Sequence, residues 1–195
     1  MKKINLIIAV LTAFTVVFLS CNTKVNCPKL EEKVLDWFPY QDNDVIELYS
    51  NFCDSTIIFT IKYAVMDHTT HYTKGTKCGG CSDEIHINGS NFSISIGLND
   101  NKITHQRYSV FDTYFAEYNS NYSELKNYLF EGKEYDVVRI FEKNDSKETF
   151  KKLIIAKDFG IIGLIDNNDN TWILKVDKKM KSLKQKKMKI NNTSC

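Results

Sequence analysis

Three of the four histidines and two of the six cysteines fall in one short segment of the chain. Their order is His68-x2-His71-x6-Cys78-Gly-Gly-Cys81-x4-His86. Thiolate and imidazole groups are ligands for zinc and copper, and two ligands separated by two residues can bind one ion. The spacing therefore admits a metal site, and a metal-dependent enzyme is one function that such a site would serve.

The two cysteines of this segment have a second interpretation. Thiols outside the cytoplasm tend to oxidise, and a disulfide removes both sulfur ligands from a metal. Cys78 and Cys81 are then joined across a glycine pair, in a surface loop. A thioredoxin-like redox motif is disfavoured, because no helix follows Cys81 that would lower a thiol pKa. We expect the disulfide-bearing loop, with no metal and no cofactor.

The compartment of the protein is indicated by the beginning of the chain. Lys2 and Lys3 precede an apolar run over residues 4–19, which is shorter than the roughly 20 residues of a membrane-spanning helix. The run matches the apolar region of a secretory signal, with a short signal anchor as the alternative. It ends in Phe18-Leu19-Ser20-Cys21, which resembles the lipobox of bacterial lipoproteins. The resemblance implies that residues 1–20 are a cleaved signal peptide and that Cys21 is acylated.

The acyl chains define the first expected partner, the lipid bilayer. One myristoyl chain holds a protein only marginally, whereas several chains on Cys21, palmitate among them, would make attachment effectively permanent. Many inner-membrane lipoproteins of Gram-negative bacteria have aspartate after the acylated cysteine, and here that residue is Asn22. The resemblance therefore implies a lipid-anchored protein of the cell envelope, in the outer membrane.

The rest of the chain has the length of one domain. We expect a tether over residues 21–26, a β-rich domain over 27–177 and a disordered lysine-rich tail over 178–195, for which a short helix on anionic lipid is the alternative. The tail has seven lysines and no acid, so residues 21–177 carry a formal charge of −7. A nucleic-acid partner needs a basic patch on the folded body and is not expected.

The hydrophobic pattern predicts a mainly β fold. Pro28 and the apolar residues Leu30, Val34, Leu35 and Phe38 have the spacing of one short N-terminal helix. After it, apolar and polar residues alternate with the period of strands, and no long helix separates them. We therefore expect a single antiparallel sheet curled into a barrel or half-barrel. Strands are predicted over 57–63, 92–98, 127–130, 135–142, 150–157, 160–165 and 171–176, with a hairpin turn at Asn88-Gly89 and an irregular segment over 107–122.

The last third of the body carries a further resemblance. Residues 129–139 (LFEGKEYDVVR), 153–163 (LIIAKDFGIIG) and 171–174 (TWIL) look like the C-terminal part of small envelope lipoproteins from AT-rich Gram-negative bacteria. In those proteins an A-K-x-x-G-I-I-G strand pair precedes a turn and a W-x-L strand. The resemblance implies a β-scaffold and an envelope location, and it implies no activity.

The cysteines allow a specific disulfide prediction. With Cys21 acylated, five cysteines remain. We expect one bridge between Cys27 and Cys53, which would contribute about 3 kcal/mol by closing a loop of about 26 residues. A second bridge is expected between Cys78 and Cys81, and Cys195 is left as a free thiol.

No catalytic motif is present in the sequence. It has no Gly-x-Ser-x-Gly elbow, no His-Glu-x-x-His and no glycine-rich phosphate loop. We therefore expect a non-enzymatic envelope lipoprotein that binds an unknown protein or small-molecule ligand or has a structural role. The alternatives are a carrier that holds a small apolar ligand inside a barrel, and a metal-dependent enzyme that uses the His68–His86 segment.

Overall fold

The computed structural model describes residues 32–50, 52–70, 81–99, 102–115, 122–143, 147–175 and 188–194. Within these residues a short 3-10 helix, Glu32–Trp37, is followed by twelve strands. The strands are β1 (Val45–Ser50), β2 (Ser55–Thr70), β3 (Cys81–Gly89), β4 (Phe92–Asn99), β5 (Lys102–Val110), β6 (Thr113–Phe115), β7 (Tyr122–Phe130), β8 (Lys133–Glu142), β9 (Phe150–Ala156), β10 (Gly160–Asp166), β11 (Thr171–Leu174) and β12 (Lys189–Ser194).

Eleven of the strands form one antiparallel sheet with β1 near its middle. Strands β1 to β6 lie side by side in chain order towards one edge, and β7 to β11 return from the other edge until β11 pairs with β1. Leu48 of β1 therefore lies between Ile57 of β2 and Leu174 of β11. The expected fold class, an antiparallel sheet curled into a half-barrel, is confirmed.

The curl of the sheet brings its two halves into contact through aromatic side chains. The rings of Tyr108 on β5 and Phe141 on β8 have their centroids 4.6 Å apart. Beside them, the amide of Phe150 at the start of β9 donates a hydrogen bond to Thr113 Oγ1 on β6, at 3.2 Å. The alternating apolar residues that predicted the strands, such as Ile94 and Ile96, lie buried in the resulting core.

Two glycines of the G-I-I-G segment make room for aromatic rings. The amide of Ile161 donates a hydrogen bond of 2.6 Å to the phenol oxygen of Tyr40, and burial raises the pKa of this phenol. A Cβ on Gly160, whose φ is +70°, would lie 2.1 Å from the same oxygen. A Cβ on Gly163 would lie 2.5 Å from the ring of Phe130. The segment therefore has a packing role.

The turns of the second half follow from their residues. Glu131 and Gly132 both have positive φ, 48° and 77°, as a two-residue hairpin turn of type I′ requires. Between β10 and β11, one carboxylate oxygen of Asp166 accepts hydrogen bonds from the amides of Asn168 and Asn170, each at 2.8 Å. The side chain therefore satisfies the backbone of the loop that it begins.

Two predicted features of the first half differ in the structure. The β3–β4 turn is formed by Ser90 and Asn91, two residues after the predicted Asn88-Gly89 turn. Gly89 instead ends β3 where a Cβ would lie 2.5 Å from the carbonyl oxygen of Thr60. The segment expected to be irregular contains the end of β5 and all of β6. Its period was hidden because the polar residue Thr113 is buried, whereas Phe111 and Tyr114 are exposed.

The two ends of the domain also differ from expectation. The observed N-terminal element is the 3-10 helix of six residues, and the predicted start at Pro28 lies outside the described residues. Part of the tail predicted to be disordered forms β12, which pairs in parallel with Val65–Thr70 of β2. Because β1 pairs with β2 only as far as Thr60, β12 satisfies backbone groups of β2 that β1 leaves open. Residues 176–187 lie outside the described part.

Candidate binding surface

The structure describes two of the cysteines predicted to form disulfides. Cys53 lies in the turn after β1 as an exposed free thiol. Its predicted partner Cys27 lies outside the described residues, so this bridge stays a prediction. Cys81 is the first residue of β3, whereas Cys78 lies outside the described part, as does the predicted lipidation site Cys21.

Those predicted metal ligands that the structure describes do not form a metal-binding cluster. His68 lies opposite Asp83 in the β2–β3 ladder and His86 lies opposite Val65, so positions 68 and 86 fall on opposite faces of the sheet. The imidazole Nε2 of His86 is 2.9 Å from Glu84 Oε2. His71 lies outside the described residues. Within the described part of the chain, no group of three His, Cys, Asp or Glu residues is placed to hold a metal ion.

The concave side of the half-barrel is occupied by the protein's own side chains. Ring pairs pack there: Phe38 with Tyr108 at 6.4 Å between centroids, and Phe59 with Phe92 at 5.4 Å. These rings are buried together with the aliphatic residues of the sheet. The described interior therefore has the composition and contacts of a packed core.

One arginine attaches the N-terminal segment to the sheet. The guanidinium carbon of Arg139, on β8, lies 3.8 Å from the ring centroid of Trp37 and 4.8 Å from that of Tyr122. Its Nε donates a hydrogen bond of 3.1 Å to Glu124 Oε2. A guanidinium stacked on aromatic rings is held by cation–π attraction and by contact area. This arrangement, here called the Arg139 clamp, packs Trp37 at the end of the 3-10 helix against β7 and β8.

The most exposed strand of the described sheet is β7, at its edge. Leu125 and Leu129 share one face of the strand and are 40% and 68% exposed. The charged residues Glu124 and Lys126 alternate with them, and charged side chains on an edge strand oppose the addition of a further strand. Apolar side chains presented together on a face are available to a partner. We call Glu124–Leu129 the β7 surface.

Sequence reasoning missed both the β7 surface and the Arg139 clamp. The alternation of β7 resembles that of a strand with one buried face, and only its edge position leaves the leucines exposed. Trp37 and Arg139 are separated by about a hundred residues, and no local pattern connects them. Sequence reasoning also missed that Trp172 contacts Ser55, which in turn contacts Cys53, because Trp172 is far from both in the sequence.

The comparisons with known proteins leave the family of the chain open. No family model, no curated protein and no solved structure matches it. In the part of the chain that the structure describes, no helix has the length and apolar character needed to cross a membrane. The functional argument therefore depends on the residues themselves.

Proposed function

We propose that the chain is a membrane-anchored envelope lipoprotein, held by acylated Cys21, whose β-domain is a non-enzymatic binding module. Its partner, a protein, contacts the outside of the half-barrel at the β7 surface. The observation that supports this proposal is the packed concave side, because a half-barrel filled by its own aromatic rings leaves recognition to its exterior. The same observation disfavours the alternative of an apolar ligand carried inside.

The β7 surface is favoured over other exposed apolar residues by its grouping. Leu125 and Leu129 lie on the same strand face with charged neighbours on both sides, an arrangement typical of a small apolar contact with a polar rim. Ile58 on β2, although 55% exposed, belongs to a central strand flanked by polar Thr56 and Thr60. Scattered apolar residues of this kind are normal on protein surfaces.

The anchor is tested by metabolic labelling with palmitate. We expect Cys21→Ala to abolish labelling completely and to release the protein from the membrane fraction, because no other group in the proposal binds lipid permanently. Cys27→Ala, which removes a nearby thiol, serves as the matched control and should leave labelling unchanged. Undiminished labelling of Cys21→Ala would contradict the lipid anchor.

The binding surface is tested by photo-crosslinking in intact cells. A photoreactive amino acid is placed at position 129 in one strain and at position 58, which is similarly exposed, in another. We expect one defined protein adduct from position 129, and we expect Leu125→Lys in the same chain to reduce it at least tenfold by placing a charge in the apolar contact. Equal adducts from both positions, or an adduct indifferent to Leu125→Lys, would argue against the β7 surface.

A further inference from the structure

In the turn between β1 and β2, the thiol of Cys53 contacts a serine hydroxyl that also contacts a tryptophan of β11. Cys53 Sγ lies 2.9 Å from Ser55 Oγ, and Trp172 Nε1 on β11 lies 3.4 Å from the same oxygen. An indole N–H can only donate, so Ser55 Oγ is the acceptor in that contact. The hydroxyl proton of Ser55 is therefore free to be donated to the sulfur.

A second hydroxyl, on Ser50, also acts on the Cys53 thiol. Ser50 is fully buried, and its Oγ has no hydrogen-bond partner among the described residues. The nearby hydroxyls of Ser50 and Ser55 lower the pKa of the Cys53 thiol below its usual range. A buried hydroxyl left unpaired is destabilising, and a thiolate accepts hydrogen bonds better than a neutral thiol does. The two hydroxyls are thus arranged to stabilise a negative sulfur.

The other titratable groups of the turn are engaged with each other. The Tyr49 hydroxyl donates a hydrogen bond of 2.8 Å to Asp54 Oδ1, and this bond raises the pKa of Tyr49. At the pH values where the Cys53 thiol ionises, the Tyr49 hydroxyl is therefore still neutral and still donates its hydrogen bond to Asp54. The exposed thiol stands next to Phe52, which is 83% exposed, so nothing in the described turn covers it.

We propose that Cys53, instead of pairing with Cys27, is a modification site at which the protein forms a mixed disulfide with a low-molecular-weight disulfide. The Cys53 thiolate attacks one sulfur of that disulfide and forms a new S–S bond. The original S–S bond breaks, and the second half leaves as a thiolate, which takes up the proton that Cys53 released. No further oxidant is needed, because the disulfide is itself reduced.

The test follows the reaction of the full, freshly reduced chain with oxidised glutathione, using residue-specific mass spectrometry between pH 5 and 10. We expect adduct formation at Cys53 to have its pH midpoint below that of the same cysteine in the urea-unfolded chain. Ser55→Ala should raise the pH midpoint, because the sulfur loses a hydrogen-bond donor. At pH 7 the reaction should slow by only about two- to threefold, because a less acidic thiol is less ionised but its thiolate is more nucleophilic.

Two variants separate this chemistry from effects on folding. Trp172→Phe removes the indole donor while it keeps an aromatic ring. It should also raise the pH midpoint, but by less than Ser55→Ala does. Ser123→Ala removes an exposed hydroxyl on β7 and should change nothing. Equal midpoints in the folded and unfolded chains, an unchanged midpoint in Ser55→Ala, or recovery of Cys53 bonded to Cys27 from the unreduced protein would each overturn the proposal.

Discussion

Gly160→Ala should lower the free energy of unfolding by about 3–4 kcal/mol, the largest loss expected from a single methyl group in this protein. Two costs add. The residue has a φ of +70°, which strains any side chain, and the new Cβ would lie 2.1 Å from the Tyr40 phenol oxygen. That oxygen cannot move freely because it accepts the Ile161 amide hydrogen bond. Urea unfolding followed by circular dichroism measures the loss.

Gly132→Ala is the matched control for this experiment. Gly132 also has a positive φ, +77°, but nothing lies within 4 Å of the position of its Cβ. It should therefore show only the conformational cost, about 1 kcal/mol. The difference between the two variants measures the contact between Tyr40 and β10. Equal losses would mean that the ring of Tyr40 relaxes away from the new methyl group.

Arg139→Ala is expected to have the second largest effect, a loss of about 2–3 kcal/mol. The substitution removes the stacking on Trp37 and Tyr122 and the apolar part of the side chain that packs with them. Trp37 should become exposed, and its fluorescence emission should shift to longer wavelength. A Trp172→Phe background isolates this signal, because the chain has two tryptophans.

The chain offers two comparisons for the Arg139 clamp. Arg139→Lys keeps the positive charge but loses the planar guanidinium, so it should recover only a small part of the stability. Arg107 is exposed on β5, and Arg107→Ala should stay within about 0.5 kcal/mol of the unsubstituted protein. Full stability in Arg139→Lys would show that charge, and not stacking, holds the N-terminal segment.

The predicted strands were most accurate where one face is buried and the turn residues are local. The pattern over 92–98 agrees with β4, and the predicted strands at 150–157, 160–165 and 171–176 agree with β9, β10 and β11 to within two residues. Strand β1 was missed, and β2 continues well beyond the predicted 57–63. The extension of β2 depends on pairing with β3 and β12, which are partners that no local window contains.

The candidate site was less predictable than the fold. The only chemical constellation visible in the sequence lies between His68 and His86, and these two positions fall on opposite faces of the sheet. Ser55 is a close sequence neighbour of Cys53, but Trp172 is 117 residues away from Ser55, so the sequence shows only the local part of this cluster before folding. Exposure of Leu125 and Leu129 likewise depends on β7 having no described neighbour on its outer side.

By itself the sequence determined the strand periodicity and the fold class, because side-chain alternation and turn residues act within a few positions. It also contains, up to Cys21, the residues whose resemblance to a signal and lipobox is the basis of the proposed anchor. The tertiary structure alone decided which strands are central and which are edges, that the concave side is filled, and which distant side chains meet. Those properties arise from the order of strands in the sheet and from its curl, and both are set by contacts between residues far apart in the chain.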